Sequence, residues 1–269
     1  MNIDPLNVLD IIRTVAEEEI LPRYQRLASH EISEKAPGDL VTIADTEAER
    51  RLTEEFTALL TGSQVVGEEG VAKNPDSIGA LADDGAVWIV DPVDGTQNFA
   101  DGKPCFAVMA ALCIDRQPEA AWIYDPLGKT AIYAVKGQGA WENDTRLQMS
   151  APAEIGDMCG SLSRRHTKDL NQRRESGEPG VPNLVDRYRC VGREYMDLAR
   201  GKLHFLRYGG RLKPWDHVPG VLIHREIGGY DSMTDAEEKY EVSSELSSKT
   251  IMLAPNYEKW KELARFLGD

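Results

Sequence analysis

Apolar residues recur at helical spacing from the start of the chain: Val8, Ile11, Ile12, Val15 and Ile20 share a face, with Asp4 and Pro5 as cap and first turn. This predicts an amphipathic first helix. A Pro-Gly turn and a short extended piece follow in "EKAPGDLVTIADTEAER", and Asp45 stands just before a second helix with Leu52, Phe56, Leu59 and Leu60 on one face. Glu47, Glu49, Arg50 and Arg51 read as its solvated side. "SQVVGEEG" predicts a brief strand entering an acidic turn bounded by glycines. Val87, Trp88, Ile89 and Val90 then form an unbroken apolar run, the pattern of a strand covered on both faces. "CFAVMAALCI", "AAWIYDP" and "TAIYAVKGQGAWEN" predict consecutive strands of an antiparallel sheet.

The pattern breaks at 148–157, around "SAPAEIGD", a candidate boundary between an N-terminal α+β region, 1–148, and a C-terminal α/β region, 149–269. In the second region "NQRRESGEPGVPN" reads as an exposed loop. Apolar strands otherwise alternate with helices: "YRCVG", "EYMDLARG", "LHFLRY", "HVPGVLIHREIGG", "IMLAP" and a closing helix "NYEKWKELARFLG". Such alternation predicts a layered α/β arrangement. No internal repeat, low-complexity tract or heptad pattern is present.

Composition narrows the function classes. With 269 residues, 41% hydrophobic and 28% charged, the chain can bury a sizeable core. A formal charge of -14 repels nucleic acid and anionic lipid, although a small anion can still bind where positive charge is local. No apolar run approaches the roughly 18 residues of a membrane span, and "MNIDPLNVLD" lacks the regions of a signal peptide, so a cytoplasmic protein is expected. Cys105, Cys113, Cys159 and Cys190 form no Cys-x-x-Cys pair and are expected as buried thiols, without zinc or a disulfide framework.

The candidate chemistry lies in "VWIVDPVDGTQNF". Pro92 biases Asp91 toward extended geometry at the end of the strand, and Asp94 follows at the next turn with Gly95 and Thr96 behind it. The two carboxylates and the Val93 carbonyl are hard oxygen donors of the kind magnesium and calcium prefer. A helix beginning near Gly95 would aim free N–H groups at the same place and hold a phosphate oxygen. Taken singly, these motifs are equally ordinary structure: Asp-Pro and Asp-Gly mark turns, Glu68 and Glu69 make a solvated pair, and Asp216 in "PWDHVPG" caps a helix.

Together, "GEEG", "WIVDPVDGTQNF" and "PWDHVPGVLIHREIGG" resemble, in order, the three acidic blocks of the inositol monophosphatase family, magnesium-dependent and lithium-sensitive phosphatases. "GDLVTIADTEAE" is similar to the family segment before the second helix. The resemblance implies an α-β-α-β-α sandwich of the sugar phosphatase type, magnesium as cofactor, a homodimer and a small phosphorylated substrate, with no nucleic acid and no membrane as partner. It implies that Glu68, Asp91 and the Val93 carbonyl hold one magnesium, that Asp91, Asp94 and Asp216 hold a second, and that a third, looser ion can sit beside Glu68. Glu68 and a Thr96–Asp45 pair would activate and orient the attacking water. Asp94, Gly95, Thr96 and Asp216 would face the phosphate and its leaving oxygen.

The match departs from inositol-specific members in "HFLRYGGRLKPWD", where no acidic residue precedes Asp216 to take a sugar hydroxyl. Arg193 and Glu194 stand where small residues are common in the family. Arg193, Arg207, Arg211 and Lys213, as basic residues near the pocket, then suit a substrate with a second anionic group; pairing of these arginines with surface carboxylates is the open alternative. Fructose-1,6-bisphosphatase, nucleotide 3'-phosphatase and histidinol-phosphatase activities are alternatives on the same scaffold. A non-catalytic, metal-binding regulatory protein is the alternative of another class.

Overall fold

Asp4 caps the first helix as its sequence predicts: Oδ1 accepts the Leu6 N–H at 2.9 Å, and α1 runs Pro5–Val15. In this computed structural model, which describes residues 3–236, 238–246 and 248–268, α1 continues into a wide π turn at Ala16–Ile20. The extra residue in that turn brings Ile20 into the core beside Val8, Ile12 and Val15. A hairpin of β1 (Ile32–Ala36) and β2 (Asp39–Thr42) leads into α2 (Ile43–Leu59). Thr42 is the N-cap, and Asp45 lies inside the first turn rather than before it, completing a capping box.

The first sheet contains β3 (Gln64–Gly67), β4 (Ala86–Asp94), β5 (Ala107–Ile114), β6 (Gln117–Asp125), β7 (Thr130–Val135), β8 (Gly139–Glu142) and β9 (Thr145–Leu147), in spatial order of sequence. It is antiparallel as expected except at one edge, where β3 runs parallel to β4. The segment expected as an acidic turn after β3 is instead helix α3 (Glu68–Lys73), and a five-residue α4 (Thr96–Ala100) follows β4.

The second sheet, in order β11-β10-β12-β14-β13, comprises β10 (Cys159–Ser161), β11 (Asn183–Val185), β12 (Phe205–Gly209), β13 (Tyr230–Met233) and β14 (Thr250–Ala254). Its helices are α5 (Arg164–Glu175), α6 (Val191–Ala199), α7 (Pro214–Glu226) and α8 (Tyr257–Leu267). Two expectations fail here. Residues 171–175 of the expected loop finish α5, which Ser163 caps and which buries Leu170. "YRCVG" is not a strand: Arg189 has φ 55, in the left-handed region that breaks an extended run, and Cys190 caps α6.

Alternation along β4 defines the layers. Trp88 and Val90 pack with α1 and α2, where the Phe56 ring stacks on Trp88 at 4.4 Å; Val87 and Ile89 pack on the other side with α6 and α7. Leu206, Tyr208, Ile251 and Leu253 of the second sheet close the α6–α7 layer from beyond, and Phe205 and Met252 face α5 and α8. The order is therefore α-β-α-β-α, as the resemblance implies. Among the described residues no helix is long and apolar enough to cross a membrane.

Candidate metal centre

Glu68 opens α3, Asp91 ends the regular part of β4 and Asp216 lies in the first turn of α7; one oxygen from each lies within 4.8 Å of the others. A bulge helps to build this cluster. Asp91 pairs with Met109 and Asp94 with Ala107, so β4 carries one residue more than β5 across that stretch. Positions 91 and 94 of an unbroken strand face opposite ways; the extra residue lets both bear on one pocket. Pro92 suits the bulge because it has no N–H to leave unpaired. Asp91 Oδ1 accepts the Val93 N–H at 3.1 Å. Gly95 then turns the chain at φ 90, where a Cβ would meet the Cys105 carbonyl at 3.0 Å and Cys190 Cβ at 3.1 Å.

Asp94 stands beside the cluster and is held from the far side. Its Oδ1 accepts the Val191 N–H at 3.0 Å, and Oδ2 accepts the Gly192 N–H at 2.6 Å and the Cys190 thiol at 3.0 Å. The start of α6 thus fixes a carboxylate on β4. Burial pushes Asp94 up to about 6 against those hydrogen bonds. None of these partners of Asp94 was legible from the acidic motifs.

Thr96 and Asp45 meet: the Thr96 hydroxyl lies 3.0 Å from Asp45 Oδ1, with the Val93 carbonyl at 3.1 Å as a second acceptor. Asp45 Oδ2 accepts the Thr42 N–H at 2.9 Å and the Thr42 hydroxyl at 2.5 Å. Burial pushes Asp45 up to about 7 despite these bonds.

The contacts of three groups at the site were not read from sequence. Glu49, expected on the solvated side of α2, is buried; its oxygens accept the Glu69 N–H at 2.8 Å and the Gly70 N–H at 2.6 Å. It satisfies the N-terminus of α3 from a neighbouring helix and so sets Glu68. Lys35 on β1 and Lys213, the N-cap of α7, both donate to Glu68 Oε1, at 3.0 and 2.9 Å. Burial alone would raise the Glu68 pKa, but Lys213 and Lys35 hold it below the ordinary range. Lys213 was legible as a basic residue near the pocket, but its partner here is a carboxylate of the cluster; nothing in the sequence ties Lys35 to Glu68.

Two of the arginines proposed for substrate have other partners. Arg193 donates to Asp125 at the end of β6. Arg207 lies on the face of β12 opposite Leu206 and Tyr208, with Nη1 at 3.5 Å from His166 Nδ1 of α5, so the structure does not bring it to the carboxylates. Glu194 is buried and accepts from Ser161, Arg187, Tyr188 and Tyr208. His217, beside Asp216, is a packing residue among the Tyr195, Tyr208 and Tyr240 rings, and burial pushes it down to about 3.

The donor set fits a hard divalent cation. Burial, with Glu68 and the neighbouring aspartates adding repulsion, holds Asp91 and Asp216 well above the usual carboxylate range. A cation among them relieves that repulsion, and the oxygen-only donors are of the magnesium type.

The description of the inositol monophosphatase family matches the chain over residues 7–267. An inositol-1-monophosphatase of Rhizobium meliloti is 34% identical over 245 residues, 86% of this chain and 85% of that protein. The Nus factor SuhB of Haemophilus influenzae is 29% identical over 258 residues, 93% and 91% of the two chains. Among solved structures, an IMPase of Thermotoga maritima superposes with a TM-score of 0.79 at 22% identity, covering 98% of this chain and 95% of that one, which shows a shared fold.

Proposed function

The chain belongs to the inositol monophosphatase family, and from that premise we propose that it hydrolyses a small phosphate monoester with magnesium at the Glu68, Asp91 and Asp216 cluster. The observation that carries this reading is the convergence of three buried or half-buried carboxylates from α3, β4 and α7 within 4.8 Å. Glu68, Asp91 and the Val93 carbonyl are assigned to one ion; Asp91, Asp94 and Asp216 are assigned to a second. Bound there, the ions neutralise a phosphate dianion and lower the pKa of a bound water. Residues to 148 supply most of these ligands, and 149–269 supply Asp216 and the surroundings of the substrate.

The chain's own groups perform the remaining work. Thr96, while donating to Asp45, keeps lone pairs that accept a hydrogen bond from the attacking water and fix its direction. The N–H groups of Gly95 and Thr96, at the start of α4, are assigned to the phosphoryl oxygens. Asp94, already oriented by Val191 and Gly192, faces the leaving oxygen together with Asp216. The same reading includes lithium inhibition, homodimeric assembly and a cytoplasmic setting, each supported by the family resemblance alone.

A panel of sugar, inositol, nucleotide and amino-alcohol phosphates, assayed with magnesium and with chelator, tests the proposal. Magnesium-dependent release of phosphate from at least one of them is expected. A chain that binds magnesium and turns over none of them is a binding protein instead.

A further inference from the structure

Glu68 uses its two oxygens differently. Oε1 accepts from two ammonium groups, Lys35 Nζ at 3.0 Å and Lys213 Nζ at 2.9 Å, whereas Oε2 accepts no hydrogen bond among the described residues. A carboxylate oxygen offers about two lone-pair directions, so Oε1 is saturated while Oε2 keeps its acceptor capacity. The two lysines arrive from separate elements: Lys35 from the β1–β2 hairpin, where it also binds Glu69 Oε1 at 2.8 Å, and Lys213 from the start of α7, three residues before Asp216. The Lys35 and Glu68 side chains are only 13% and 12% exposed, and Lys213 is 30% exposed. Both contacts are therefore well shielded from solvent, in contrast to an ordinary surface ion pair.

Charge balance leads to the same conclusion. Ionised Glu68, Asp91, Asp94 and Asp216 match two divalent cations, and the two ammonium groups add positive charge at Oε1 of Glu68. A further divalent ion at Glu68 would have to displace a tethered ammonium that is covalently held at high local concentration. We propose that Lys213 and Lys35 are built-in cations that occupy Oε1 of Glu68, leave Oε2 to the cage and close the cage to any ion beyond two. They are positioning residues: they act through Glu68, turning Oε2 inward and limiting the metal count. This inference rests on the two-ion reading above, but it is tested without turnover.

The experiment counts Mn2+ bound per chain by the loss of the free-ion electron paramagnetic resonance signal, with circular dichroism as the check on folding. The wild-type chain is expected to hold two ions, Lys213→Arg two, and the Lys35→Met/Lys213→Met double variant three. Three ions on the wild type, or two on a folded double variant, overturns the inference. The wild-type count stands even if the double variant does not fold. A wild type that binds two ions yet hydrolyses no ester defeats the functional reading alone, and one that binds three and is active defeats this inference alone. A wild type that binds none defeats both.

Discussion

The carboxylate of Glu49 occupies the volume that a side chain on Gly67 would need: a Cβ there would lie 2.3 Å from Glu49 Oε2. The missing side chain lets a helix-borne carboxylate reach the N–H groups of Glu69 and Gly70 at the start of α3. Gly67→Ala should therefore push Glu49 off the helix end, with an overpacking cost of about 1–3 kcal/mol. Urea unfolding should show that loss, and magnesium should stabilise the variant less than the wild type because Glu68 moves with α3. An unchanged urea midpoint would contradict this coupling.

Asp91→Asn tests the centre of the cluster. The amide oxygen can keep the bond from the Val93 N–H, and removing a charge relieves the repulsion that raises Asp91. Without metal, the melting temperature should hold or rise; the increase on adding magnesium should shrink, and turnover should fall by at least about a hundredfold. Near-normal activity or an undiminished magnesium shift would remove Asp91 from the ligand set.

Thr96→Val keeps the shape of the side chain and deletes its hydroxyl. Asp45 Oδ2 retains both of its bonds from Thr42 while Oδ1 loses its donor, so the chain should still fold with a loss of about 1–3 kcal/mol. The expected result is a fall in kcat of about a hundredfold, with little change in KM, since water alignment is lost and phosphate binding is not. A change confined to KM would assign Thr96 to binding instead.

His224 predicts an acid-side loss of stability. Its Nε2 faces the Ala254 and Tyr230 carbonyls at 3.0 and 3.2 Å, and Nδ1 has no partner among the described residues, so the ring is a neutral Nε2–H donor. Burial pushes its pKa down to about 4 from 6.5. Between these values the unfolded chain binds the extra proton, so stability falls as pH drops from 6.5 to 4, by about 1.4 kcal/mol per pH unit at most, and levels off below. Urea midpoints from pH 4 to 7 should show a shallower decline in His224→Gln than in the wild type; parallel curves would exclude the assignment.

The legible parts of the sequence were those governed by local rules. Asp4 and Pro5 announced a helix start, the run from Val87 to Val90 announced a strand covered on both faces, and the three acidic blocks announced Glu68, Asp91 and Asp216. What escaped depended on distant partners. Glu49 sits in a highly charged stretch of α2, and only the space at Gly67 makes it internal. Helix α5, "RRHTKDLNQRRE", buries Leu170 alone and so shows no apolar period. "YRCVG" has strand-like composition, but Asn98 Nδ2 donates to the Tyr188 and Arg189 carbonyls and holds that segment against α4, with Arg189 at φ 55.

The grip of Val191 and Gly192 on Asp94 has a consequence during synthesis. A nascent chain leaving the ribosome presents Glu68, Asp91 and Asp94 well before α6 and α7 exist. Until those helices arrive, Asp94 lacks its anchors and Asp216 is absent, so a polypeptide that stops short of them carries no assembled carboxylate cluster. The cluster is therefore a late product of synthesis, closed by Val191, Gly192 and Asp216 around carboxylates that emerged far earlier.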